Sequence, residues 1–400
     1  MKKFLFIFII PTLFFAKSDK LSQIPPVSEI YINLESKDCD DGCLLELFKD
    51  GLYHSFLSNF INSNNSEVLT AYSIISGKNI PTQTNTDKNI NVEFKIAVII
   101  PERSIKSYTN IVSNAAIAYG IRQNDKILIK FYNIGTETQQ NIQNSIKAIK
   151  DDNISYIIAP FTSIGAEILN RSLDDSQKVY IPTLNIKNII NPNPNIIFGG
   201  IDYKLQVAKL LELSNGKNAI ISDGSQTTSA INDSINELSG NVEYEDKIIG
   251  AQSDLKSYIN TRLNNTTLFL NLPIIKTSLL MSQFRIYDIQ PATILSTQIN
   301  YLPNLFKLTQ SEDRQNFYIA NSIVDSDEAL KSINSILGED LSYNWVAYST
   351  ELGMDFFYNL SKPNKNRIFS ENIENGEVKY TTKIMKAGKF GFNEILPNEK

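Results

Sequence analysis

Hydrophobic positions along the chain cluster in short, continuous runs. Lys95-Ile96-Ala97-Val98-Ile99-Ile100-Pro101 and Tyr156-Ile157-Ile158-Ala159-Pro160-Phe161-Thr162-Ser163 are the clearest, and they have the form of strands buried on both faces of a parallel sheet. Each breaks at a proline and opens into a segment that can be helical. After the strand at 96–100 the spacing predicts a helix over 108–121, where Ala115, Ala116, Ala118 and Gly120 permit close packing on a sheet. A strand at 127–132, a helix over 138–150, a strand at 155–159, a helix over 164–171 and a strand at 180–184 continue the alternation.

A second block starts beyond Asn191-Pro192-Asn193-Pro194. It predicts helices over 203–213, 228–238, 255–263 and 274–284, with strands at 218–221, 242–249, 267–270 and 292–296. Four hundred residues exceed what one hydrophobic core organises. Two successive βα blocks therefore imply an α/β protein of two lobes with parallel sheets, and a cleft between lobes is a usual place for a small ligand.

The first ninety residues read differently. Lys2 and Lys3 precede the apolar run from Phe4 to Ile10, and Ala16 offers a peptidase site, the pattern of a cleaved signal peptide over 1–16 and of a periplasmic destination. Residues 17–36 read as an extended terminus. Leu44, Leu47, Phe48, Leu52, Phe56, Leu57 and Phe60 recur at helical spacing, as do Val68, Leu69, Tyr72 and Ile75; the polar stretch 79–91 reads as a linker. The segment 17–91 is thus an extended terminus, a small helical region and a linker. Leu47, Phe48, Leu52 and Phe56 form its candidate partner surface. Cys39 and Cys43 are the two cysteines; export permits a disulfide between them, and two thiols alone do not complete a zinc site.

Composition narrows the chemistry. A net charge of -5 gives no basic patch for nucleic acid. Gly199-Gly200 is not a GxGxxG loop, and no phosphate-binding loop motif occurs. His54 is the sole histidine, in an apolar run where packing or an interface outweighs metal ligation, and no nucleophile elbow accompanies it. Neither a complete catalytic constellation nor a cofactor or metal motif is visible. The aromatic segment of Trp345, Tyr348, Phe356, Phe357 and Tyr358 reads as helix core, with a cleft wall as the other reading.

These motifs together resemble the periplasmic-binding-protein-like type I fold, the group of branched-chain amino acid receptors. It also includes the ligand-binding-like domain of the outer-membrane lipoprotein that activates a peptidoglycan synthase. The resemblance rests on the opening strand with Pro101 before an alanine-rich helix, on 157–163, Asp202-Tyr203 with Gln206, 220–223, 347–355 and the hairpin at 376–380. It spans roughly 92–400. It implies three crossings between lobes, with lobe 1 at 92–198 plus 291–343 and lobe 2 at 199–290 plus 344–400. It also implies that Thr162 and Ser163 hold the main-chain groups of an amino-acid-like ligand, although local sequence favours both as helix caps. Asp202, Asp223 and Glu351 are the candidate partners for a ligand ammonium. The preferred functional reading is a non-enzymatic scaffold or interaction component of a cell-envelope assembly, partnered by a periplasmic or membrane-associated envelope protein. The alternative is a solute receptor for an amino-acid-like ligand feeding an ABC transporter, with Thr162, Ser163, Asp202 and Asp223 near the ligand.

Overall fold

The computed structural model describes residues 39–76, 92–123, 125–250 and 255–395. The expected signal peptide, extended terminus and linker at 79–91 lie outside the described residues.

The helical region begins where Asp40 accepts a hydrogen bond from the Cys43 amide (2.9 Å) and caps α1 (Asp41–Lys49). Cys39 and Cys43 are joined as a disulfide. Gly51 takes φ +75°, a conformation open to glycine at no steric cost. The apolar pattern across 44–60 therefore folds as two helices, α1 and α2 (Tyr53–Asn59), followed by α3 (Ser66–Ser76). Leu44, Phe56, Leu57, Val68 and Ala71 form a core of their own, with Leu47 and Phe48 packed against it. This corrects the expected partner surface. Phe56 is fully buried, and Leu47 and Phe48 lean on the core, because one helical stripe must close a domain this small; only Leu52, 51% exposed, faces outward. His54 is exposed on α2.

The larger body follows in chain order with β1 (Phe94–Ile100), α4 (Glu102–Ile105), α5 (Tyr108–Arg122), β2 (Ile127–Asn133), α6 (Gln139–Asp151), β3 (Tyr156–Ile158), α7 (Ser163–Ser172), β4 (Lys178–Ile181) and β5 (Ile196–Phe198). Next come α8 (Tyr203–Leu211), β6 (Asn218–Ser222), α9 (Gln226–Ser239), β7 (Val242–Lys247), β8 (Thr267–Asn271), α10 (Ile274–Ile286), β9 (Thr293–Ser296), α11 (Asn304–Leu308) and β10 (Phe317–Asn321). The chain ends with α12 (Glu328–Ile336), α13 (Trp345–Ser361), β11 (Asn372–Glu374), β12 (Glu377–Lys379), β13 (Lys383–Ala387) and β14 (Phe392–Glu394). Two seven-stranded sheets result, ordered β11-β12-β5-β4-β3-β1-β2 and β14-β13-β10-β9-β8-β6-β7. Both are mostly parallel, as the continuous apolar runs require.

Sheet membership revises the lobe boundaries. β9 pairs with β8 and β10 (Leu268 opposite Ile294, Phe317 opposite Ile294), so residues 293–321 belong to lobe 2 rather than lobe 1. Conversely, α12 and α13 cover the first sheet. Tyr348, Leu352 and Phe357 of α13 share one apolar core with Val98, Tyr119 and Tyr180, and β12 pairs in parallel with β5. Lobe 1 is therefore 94–198 plus 328–379, and lobe 2 is 203–321 plus 383–394. The chain still crosses three times, at 199–202, 322–327 and 380–382. Residues 255–263 form two separate 3₁₀ turns rather than a helix, because the Asn260 side chain accepts from the Arg262 amide (2.9 Å) and starts a second turn.

The crossings are tied together. Tyr380 Oη donates to the Gly199 carbonyl (2.6 Å), Ser322 and Thr382 hydroxyls lie 3.2 Å apart, and Gln206 Nε2 donates to Ser322 Oγ (2.7 Å). A Cβ at Gly199 would stand 2.1 Å from Tyr180 Oη, and one at Gly353 2.4 Å from the Tyr180 ring. Both glycines are there to let backbone approach a buried tyrosine.

Candidate ligand-binding cleft

Connectivity fixes where the cleft lies. The first crossing leaves the carboxyl end of β5 and enters the amino end of α8, the helix that leads to the start of β6. The third leaves the carboxyl end of β12 and enters β13, which runs antiparallel to β10. Both lobes therefore turn the carboxyl ends of their parallel strands toward the crossings, where ligands bind in open α/β sheets. The amino ends of α5, α6, α7, α8, α9 and α10 gather at this level.

Of the sequence-derived candidates, Thr162, Ser163, Asp202 and Asp223 stand at this level, and Thr162, Asp202 and Asp223 are engaged by the protein itself. Thr162 precedes α7, but its own side chain does not cap the helix. Glu137, from the loop after β2, reaches across instead. Its carboxylate accepts from the Thr162 amide (2.8 Å), the Gly165 amide (3.1 Å) and the Thr162 hydroxyl. A carboxylate at a helix amino end meets unpaired amides and the positive end of the macrodipole. Glu137 is buried, and a Cβ at Gly165 would come within 2.7 Å of it. Ser163 lines a shallow groove along α7 with Ile164, Glu167, Ile168 and Arg171.

Asp202 caps α8 by accepting from the Leu205 amide (3.1 Å), and its other oxygen pairs with Lys187 Nζ of lobe 1 at 2.6 Å. Asp223 accepts from the Ser225 amide (3.0 Å) and the Thr228 hydroxyl (2.7 Å). Burial alone would raise its pKa, but these hydrogen bonds win and hold it below the ordinary value. Glu351 is not at the cleft. It is fully buried between α13 and α12, where Asn334 Nδ2 donates to it at 2.5 Å, and burial pushes its pKa well up. An ammonium partner must be reachable, and Glu351 is closed off from the cleft. The aromatic segment is helix core: Tyr348, Phe357 and Tyr358 are buried.

Lobe 2 presents neutral side chains at the same level. Gln298, just past β9, accepts from the Ser322 amide (2.8 Å), and its own amide donates to Gln206 Oε1 (2.9 Å). Asn271 Nδ2 donates to Asn232 Oδ1 (2.8 Å). Asn300 Nδ2 donates to Ser296 Oγ (2.9 Å) and the Leu272 carbonyl (3.1 Å). Two tyrosines stand at the helix starts, Tyr108 on α5 and Tyr203 on α8. Burial raises both phenol pKa values, and the nearness of Tyr108 adds to the shift at Tyr203. Sequence reasoning missed Glu137, Tyr108 and the lobe 2 amides; Tyr203 and Gln206 entered it only as elements of a resemblance. Among the described residues no group of three or more His, Cys, Asp or Glu side chains forms a metal-binding cluster.

No family model matches the sequence, and no curated protein matches it. Solved structures do match in fold. A putative branched-chain amino acid ABC transporter protein from Rhodospirillum rubrum superposes with a TM-score of 0.58 at 11% identity, covering 76% of this chain and 99% of that one. A branched-chain amino acid transporter substrate-binding protein from Streptococcus pneumoniae, in complex with isoleucine, gives 0.54 at 11% identity over 76% and 99% of the two chains. A solute-binding protein of an ABC transporter from R. palustris, in complex with 4-hydroxybenzoate, gives 0.56 at 11% identity over 76% and 96%. With its two parallel sheets and three crossings, the chain has the periplasmic-binding-protein type I fold.

Proposed function

We propose that this chain is a non-enzymatic solute-binding receptor of the periplasm, working with an ABC transporter. The observation that carries the reading is the pair of lobes whose strand carboxyl ends converge on three hydrogen-bonded crossings. That architecture supports closure about a ligand, provided the ligand binds the closed form better than the open one. Structural neighbours solved in complex with isoleucine and with 4-hydroxybenzoate favour this reading over a purely scaffolding role.

A second contact is supported by the helical region. Leu52, Tyr53, Ile61 and Ile74 are exposed there, between 49% and 72%, and the region has its own core and disulfide. An envelope protein is the proposed partner for this surface.

One experiment addresses both. The exported chain is screened against neutral and charged small solutes by thermal melting and small-angle scattering, alongside a form lacking residues 39–76. At least one solute should raise Tm saturably and reduce the radius of gyration in both forms, while only the full form should co-sediment with envelope membranes. A chain that responds to no solute is not a receptor, and equal co-sedimentation of the two forms removes the partner surface.

A further inference from the structure

The cleft presents chemistry that suits a neutral ligand. On lobe 1, the α7 amides that could receive a ligand carboxylate already hold the carboxylate of Glu137. The acidic head of α8 holds Lys187. On lobe 2, the side chains at the ends of β8 and β9 are amides and hydroxyls. Thr297 Oγ1, Gln298 Nε2, Asn271 Oδ1 and Asn300 Oδ1 are buried there without a hydrogen-bond partner among the described residues. Buried polar atoms in that state retain hydrogen-bonding capacity that ordered water or a bound solute can take up. Tyr108 at the start of α5 and Tyr203 at the start of α8 add one phenol from each lobe. A phenol offers a face for ring stacking and an uncharged hydroxyl.

We propose that the cleft takes an uncharged, ring-bearing solute carrying hydroxyl or carboxamide groups, and that Glu137 excludes free carboxylates, α-amino acids among them. The inference rests on the receptor reading and names its ligand class. Glu137 acts by like-charge repulsion and by occupying the amides that an incoming carboxylate needs. Gln298, Thr297 and the two tyrosines serve the neutral ligand instead.

The test uses the full exported chain and three probes: 4-hydroxybenzamide, 4-hydroxybenzoate and isoleucine. The first two share a ring and differ in charge. Titration calorimetry should give a Kd for the amide at least ten-fold below that for the benzoate, and no saturable heat with isoleucine. Glu137→Gln should narrow the amide-to-benzoate ratio about five-fold or more, and Tyr203→Phe should weaken the amide several-fold. The wild-type ratio needs no substitution, so a misfolded variant leaves the test standing. Benzoate or isoleucine binding as tightly as the amide, or all three probes silent while another solute from the screen binds, overturns the ligand class and leaves the receptor role intact. A screen without any binding solute removes the receptor role itself.

Discussion

The two lobes share an architecture and differ in what they bury. Lobe 1 encloses carboxyl groups: Glu351 and Asp355 are fully buried, and Glu137 and Glu371 nearly so. Asp355 is held by Tyr119 Oη (3.1 Å), the Ile368 amide (3.1 Å) and Arg367 (3.3 Å), yet burial dominates and raises its pKa. Lobe 2 encloses mainly neutral groups at its cleft end, and its buried ionisable residues, Asp313 and Arg314, precede β10 at the opposite end. Arg314 is satisfied there by the carbonyls of Thr309 (2.6 Å) and Lys389 (2.9 Å). One sheet topology thus accommodates an ionisable interior in one lobe and a mainly neutral one in the other. The difference lies in pH response: burial raises the pKa of Glu351 and Asp355 in lobe 1, whereas the buried amides and hydroxyls at the ends of β8 and β9 in lobe 2 do not titrate.

The strongest way to break lobe 1 selectively is steric. Gly353→Ala places a Cβ 2.4 Å from the Tyr180 ring, which is buried beneath α13. Overpacking of this kind costs about 3 kcal/mol, and urea unfolding should show the loss; an unchanged midpoint would mean that α13 can lift from the sheet freely.

Glu351→Gln sharpens the contrast. The folded state raises the Glu351 pKa above its ordinary 4.5, so the native protein keeps a proton that the unfolded chain releases, and stability falls as pH rises from about 4.5 through the folded value. The linkage slope is about 1.4 kcal/mol per pH unit. The neutral variant escapes this loss, so its advantage over wild type should widen between pH 5 and 7 and vanish near pH 4. A constant difference across that range would show Glu351 ionised in the native state.

The smallest effect is expected in lobe 2. Asn300→Ala removes donations to Ser296, Leu272 and Thr277 and should cost about 1–2 kcal/mol. That loss should be the same at pH 5 and pH 8 in parallel denaturation curves, and a pH-dependent loss would erase the distinction between the lobes.

Much of the architecture was legible because buried parallel strands announce themselves. β1, β2, β6 and β8 fall where continuous apolar runs placed them, and α5, α6, α8 and α10 where helical spacing did. β5 was missed, being three residues long and set just after Pro192 and Pro194. The lobe boundaries, taken from the resemblance, were misassigned, and periodicity could not correct them because it reports which residues are buried, not against which sheet; β9 reads identically in either lobe. Cap and ligand readings of Thr162, Asp202 and Asp223 could not be separated by composition, since both require short oxygen-bearing side chains. Glu137 gave no signal at all. A single acidic residue between Gly135 and Thr138 looks like any solvated loop, and only the fold brings it beside residues 162–165.

Glu137 differs from any free solute in being attached. A tethered group competes at an effective concentration on the order of millimolar, independent of what the surroundings supply. Scarce carboxylates would meet a resident rival that never diffuses away.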